Sequence, residues 1–277
     1  MPPYRMTDQE HGLIKARAPG FRPGRILRDV PFLRTGAIRL RTLFHSKGGA
    51  PGGVLFLFYH DMQASERAAF EAQIRHLRDI GDIVSPADAV KILMGGNART
   101  TNERHICLTF DDGYRGAFEH AFPILASENV PAAFFVVAGW IDEARPGIIG
   151  WEDCRTLAAG GMEIGSHSIS HRRLAQLDEA EAAREFVASR TRVEAETGRA
   201  CVHFACPFGQ PTEDYHPGRE PRLARQAGYH TFFTTVPRRA VAGVSPWELP
   251  RVRMEPGWGS AELRYAFSRP PMGGKSN

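Results

Sequence analysis

The chain has 277 residues, of which 42% are hydrophobic and 24% charged, an ordinary globular composition that argues against a mostly disordered chain. Four cysteines are too few for a disulfide scaffold, and no apolar run reaches the roughly 18 residues of a membrane span. The net charge of +4 is unevenly spread: residues 1–50 carry ten basic side chains against three acidic ones, so a basic arm precedes a slightly acidic body.

In chain order, the arm comes first. Its charge suits an anionic partner such as a membrane surface, although a solvated basic extension is the simpler reading. Gly24–Phe44 sets apolar residues among arginines in the manner of an interfacial amphipathic helix, interrupted by Pro31 and Gly36. Packing of this stretch against the body is favoured over a free interfacial helix. The Gly-rich run 48–53 reads as a linker, so the expected division is an extension over 1–53 and one domain over 54–277. The N-terminus lacks an apolar signal core, which makes a cytoplasmic chain with reduced cysteines the expectation.

From Val54 the pattern alternates. Val54–Tyr59 is a continuous apolar run, as in a strand buried on both faces. Phe70, Ile74 and Leu77 predict a helix over Ser65–Ile80, stopped by Gly81, and Ser85-Pro86 starts another. Further strands are predicted at Ile106–Phe110, Ala132–Val137, Met162–Gly165, Val202–Ala205, Tyr229–Thr234 and Leu249–Met254. Between them come helices at Ala117–Asn129, kinked or started by Pro123, and at Glu152–Ala159, Asp178–Thr197 and Pro221–Ala227. Strands alternating with helices imply a parallel sheet, as a βα-barrel or a doubly wound sheet. In either, chemistry gathers where strands end at their C-terminal side.

Three strand ends carry such residues. Ile106–Phe110 runs into Asp111-Asp112-Gly113, whose neighbouring carboxylates face different directions, one suited to a metal and one to a base. Met162–Gly165 runs into His167-Ser168-Ile169-Ser170-His171, two imidazoles four apart. With Asp112 they make a two-histidine, one-carboxylate set that leaves positions open for water and substrate. Val202–Ala205 runs into Cys206-Pro207-Phe208-Gly209, a sharp turn whose Phe208 N–H is free to serve an oxyanion.

Thr109-Phe110-Asp111-Asp112-Gly113, His167-x3-His171 and Phe204-Ala205-Cys206-Pro207-Phe208-Gly209 together resemble the first three motifs of the polysaccharide deacetylases, the NodB-homology or carbohydrate esterase family four group. The resemblance covers roughly residues 54–255. It implies a distorted (β/α)7 barrel with a divalent metal at its mouth, zinc first, with cobalt, nickel and manganese also compatible. It implies Asp111 as general base, Asp112, His167 and His171 as ligands, and the Phe208 N–H, framed by Pro207 and Gly209, as oxyanion donor. Trp151 is the expected sugar platform. The implied reaction removes acetyl groups from N-acetylhexosamine units of a polysaccharide or glycolipid. Alternatives are a deformylase or small-amide hydrolase on the same barrel, or an inactive carbohydrate-binding relative.

The chain departs from the family in three places. Ala205 stands where the family often has an arginine that orients the base. The fourth motif is not recognisable, Trp247 alone echoing it. No histidine follows His230 to act as the family's general acid. His60, at the end of the first strand, is the replacement acid proposed from sequence, and Arg251 or Arg253 on the last strand could supply the missing positive charge. Cys206 has no evident base partner and is not read as a nucleophile. No nucleic-acid-binding signature is present.

Overall fold

A computed structural model describes residues 52–95 and 103–273. The basic arm, the proposed interfacial helix and most of the glycine linker lie outside the described residues.

β1 (Gly53–Tyr59) is buried at every position, as its unbroken apolar run predicts. It pairs in parallel with β3 (Arg104–Phe110), from Gly53 opposite Arg104 to Tyr59 opposite Phe110. Parallel pairing continues through β4 (Ala132–Val136), β5 (Glu163–Ser166), β6 (His203–Ala205) and β7 (Thr231–Phe233). Beyond β7 the sheet closes through one bridge. Leu249 N donates to Phe232 O at 2.9 Å and Thr234 N to Leu249 O at 2.8 Å. Two residues later β9 (Arg251–Arg253) pairs in parallel with β1, Arg251 opposite Phe56 and Arg253 opposite Phe58. The curled sheet is thus the distorted α/β barrel, not the doubly wound alternative. Short strands decorate it: β2 (Asp82–Ile83) on β3, β8 (Arg239–Ala240) antiparallel to β1, and β10 (Pro271–Met272) on β8.

Alternation along the strands builds two cores. Val54, Phe56, Cys107, Ala133, Phe135, Ala205 and Phe233 fill the barrel interior, and Ala89 and Leu93 of α2 (Pro86–Met94) pack on the same cluster. Leu55, Leu57, Tyr59, Phe110, Phe134, Phe204 and Phe232 face the surrounding helices. These include α1 (Arg67–Ile80), α3 (Phe122–Ser127), α4 (Ala138–Asp142), α5 (Trp151–Ala159), α6 (Glu179–Thr197), α7 (Glu220–Gln226) and α8 (Ser260–Phe267).

The helix predicted over 117–129 is two pieces. A π-helical turn at Ala117–Ala121 precedes α3, and Pro123 lies in the first turn of α3, where its missing N–H costs no bond. α6 matches expectation at both ends. Asp178 caps it by accepting from Glu181 N at 2.7 Å, and Gly198 ends it with φ +64°. Its buried face is unusual in holding Glu185 and Ser189 beside Ala182, Phe186 and Val193.

Candidate metal centre and its charged neighbour

The site begins where β3 ends. Asp111 N donates to Tyr59 O at 2.9 Å, which continues the ladder and keeps the Asp111 side chain on the same face as Thr109. The next residue breaks the pattern: Asp112 has φ +72° and Gly113 φ +75°. Aspartate tolerates this left-handed region better than most side chains. The reversal sends the Asp112 carboxylate away from its neighbour.

His167 and His171 meet it there. Asp112 Oδ1 lies 3.3 Å from His167 Nε2 and 3.2 Å from His171 Nε2. The three groups are the one cluster among the described residues that could hold a metal ion. The His167 ring is turned by its other nitrogen, with Nδ1 2.8 Å from the Ala205 carbonyl, so the Nδ1–H donates there and the Nε2 lone pair faces the cluster. Asp112 Oδ1 is buried and has no hydrogen-bond partner of acceptable geometry. An orphaned buried carboxylate oxygen beside two imidazole nitrogens is the chemistry of a ligand set, not of a closed polar network. Its spacing fits too: ligand atoms about 2.1 Å from a tetrahedral ion stand about 3.4 Å apart. Burial works against charge on Asp112, but the two imidazoles more than offset it and hold its pKa well below the usual carboxylate range. Burial dominates at His171 and holds its pKa below the ordinary imidazole value, favouring the neutral form that ligation requires.

Asp111 belongs to a second feature. Arg251 Nη1 and Nη2 donate to its two oxygens at 2.7 and 2.8 Å, a bidentate pair. Arg251 also donates to Thr109 Oγ1 and to the Thr234 carbonyl, both at 3.1 Å. It is fully buried, with the rings of Phe58, Phe135 and Phe233 at 4.8, 5.5 and 5.9 Å from its guanidinium carbon. Burial would raise the Asp111 pKa, but Arg251 and then His167 outweigh it and hold the carboxyl below its ordinary value. Arg253 points its charge elsewhere, donating to Glu255 Oε1 at 2.8 Å. Of the two arginines suggested by the sequence, Arg251 is therefore the one that meets the aspartate, while Ala205 contributes only its carbonyl to His167.

The remaining candidates divide. His60 is half-buried at the end of β1, its ring 5.5 Å from that of Phe58, and its charge is close enough to contribute to lowering Asp111. Phe208 follows Pro207 with φ +61°, Gly209 with φ +73°. No described residue accepts from the Phe208 N–H, while its carbonyl accepts from Thr235 Oγ1 at 2.5 Å. The Phe208 ring stands at the rim, 4.8 Å from the His171 ring and 4.3 Å from the Arg173 guanidinium carbon. Arg173 is in turn fixed by the buried Asp214. Trp151 is not brought to the cluster. Its indole N–H donates to Asp142 at 2.8 Å, and Arg192, itself bonded to Asp142, lies 5.4 Å from its ring. A second aromatic beside the cluster, besides Phe208, is Trp140, 4.9 Å from the His171 ring, on the short α4 that the sequence pattern did not reveal.

Residues 98–232 match the family model described as polysaccharide deacetylase. Over that span the chain is similar to the polysaccharide deacetylases. The matched span holds Asp111, Asp112, His167, His171 and Phe208; His60 and Arg251 lie outside it. The chain is 27% identical over 225 residues to YxkH of Bacillus subtilis (strain 168), a candidate polysaccharide deacetylase, across 79% of this chain and 77% of that protein. Among solved structures, IcaB from Ammonifex degensii aligns with a TM-score of 0.65 at 26% identity, over 78% of this chain and 97% of that one. The Streptococcus pyogenes deacetylase PplD, in complex with acetate, shares the fold with a TM-score of 0.68 at 21% identity, over 79% and 99% of the two chains.

Proposed function

We propose that this chain is a metal-dependent hydrolase that removes N-acetyl groups from N-acetylhexosamine units of a polysaccharide or glycolipid. The observation that carries the reading is the pairing of an orphaned Asp112–His167–His171 set with a separately oriented aspartate, Asp111, on the adjacent residue. A divalent ion held by the three ligands, zinc first, supplies Lewis acidity that polarises a carbonyl and acidifies a water.

The chain's own groups do the rest. Asp111 receives the proton of the attacking water. Arg251 occupies one direction at each Asp111 oxygen and leaves the others open, so it orients the carboxylate without blocking it. As the water oxygen bonds to the amide carbon, the carbonyl oxygen gains charge, and the Phe208 N–H donates to it. The carbon–nitrogen bond then breaks, His60 gives a proton to the nitrogen, and acetate and a free amine result. The lone-pair directions left open at both Asp111 oxygens support an enzyme over a carbohydrate-binding relative, because pairing with Arg251 alone does not use them.

The test is acetate release from a chito-oligosaccharide by zinc-loaded protein. Release is expected, with Asp111→Asn reducing it at least about 100-fold while one zinc per chain stays bound. No release by a wild-type chain holding its zinc would overturn the acetyl specificity and direct the search to formyl or other small amides. No described helix is long and apolar enough to cross a membrane. The charge of residues 1–50 supports peripheral contact with an anionic, cytoplasmic membrane face. Deleting them is expected to weaken sedimentation with anionic liposomes; equal sedimentation sinks that contact.

A further inference from the structure

Glu185 is a buried carboxylate with 8% exposure and no ion-pair partner among the described residues. Such a group costs free energy unless donors surround it. Its donors all come from one place, the loop between the two histidines. Oε2 accepts from Ile169 N at 2.9 Å and Ser170 N at 3.0 Å, and Oε1 accepts from Ser170 Oγ at 2.6 Å. The loop needs restraint. Ser168 and His171 both have left-handed backbones, with φ +69° and +58°. Neither is glycine, so each conformation persists only where surrounding bonds over-determine it.

Other contacts complete the clamp. Ser168 Oγ accepts from His171 N at 2.9 Å. The loop carbonyls of Ser168 and Ile169 accept from Ala138 N and Gly139 N at 3.2 and 3.0 Å. One turn beyond Glu185, Ser189 Oγ meets Ser166 Oγ at 2.7 Å, which in turn accepts from Ser168 N at 3.2 Å. Glu185 is the one charged member of this set.

We propose that Glu185 is a positioning residue that holds the His167–His171 loop in its ligating shape and so sets the affinity of the Asp112–His167–His171 cluster for its ion. The inference rests on the metal-centre reading above.

The experiment measures zinc alone, titrated into the full chain against a chromogenic chelator. Glu185→Ala removes both acceptor oxygens and with them all three hydrogen bonds, and is expected to weaken zinc binding about 10–100-fold, the usual effect of losing a group that orients a ligand. Glu185→Gln is expected to recover most of it, because its amide oxygen can still accept both N–H groups while its NH2 donates to a rotated Ser170 hydroxyl. Asp178→Ala weakens the cap of the same helix and controls for general destabilisation; it should leave zinc affinity unchanged. Should Glu185→Ala not fold, Glu185→Asp withdraws the carboxylate by one methylene and is expected to cost several-fold in affinity. Faster amide exchange at Ile169 and Ser170 in these variants is the second readout. If wild type binds zinc and Glu185→Ala or Glu185→Asp binds it equally, this proposal alone is overturned. An equal loss in Asp178→Ala would overturn it as well, by showing that helix stability is the cause. A wild-type chain that binds no zinc overturns the metal reading, and this inference with it.

Discussion

At φ +72° the backbone of Asp112 turns out of the strand that Asp111 still follows, and the two carboxylates part company there. The separation makes their substitutions distinguishable. Asp112→Ala or His167→Ala is expected to abolish zinc binding, whereas Asp111→Asn keeps the metal; loss of metal in Asp111→Asn would mean the two aspartates exchange roles. Arg251 gives a different signature. Removing one partner of a buried ion pair strands the other charge, so Arg251→Ala is expected to destabilise the chain by about 3–5 kcal/mol in urea unfolding. Arg251→Lys keeps a charge but loses the planar fork, and a partial loss of activity with most of the stability retained is expected.

Among the elements, long apolar strands and capped helices were legible because their signal is local: an unbroken run for β1, a capping aspartate and a terminal glycine for α6. α4, β8 and β10 are too short for a period to show. The Asp112–His167–His171 cluster was legible for the same local reason, since its members follow strands within short motifs. The partner of Asp111 was legible only as a choice of two. Both Arg251 and Arg253 alternate onto the interior face, and depth separates them: Arg251 lies level with Phe56 in the middle of β1, Arg253 with Phe58 nearer the mouth. Glu185 was not legible, because one more glutamate on a highly charged helix carries no signal. The contacts of Trp151 with Asp142 and Arg192 were not legible, because both partners lie on other helices. The interior also sets a steric limit. A methyl at Gly165 would overlap the Phe135 ring, so Gly165→Ala is expected to cost about 1–3 kcal/mol, read as a lower urea midpoint.

Over the whole molecule, all four cysteines are free and buried. Burial pushes every one of these thiols up, Cys154 to about 12. In the unfolded chain they ionise near pH 8.5. Their contribution to stability is therefore complete below that value and is lost as pH rises through the folded values. The urea midpoint is expected to be lower at about pH 10.5 than at about pH 8. A chromogenic disulfide is expected to label no thiol until the chain unfolds; prompt labelling of the native protein would contradict the buried placement.

The Asp111–Arg251 pair joins residues 140 positions apart in the chain. During synthesis, the aspartate leaves the ribosome long before the arginine exists, and until then a barrel closed around it would enclose a lone negative charge. β9, which follows every other strand of the ring in the chain, thus carries the guanidinium that neutralises Asp111 in the closed interior.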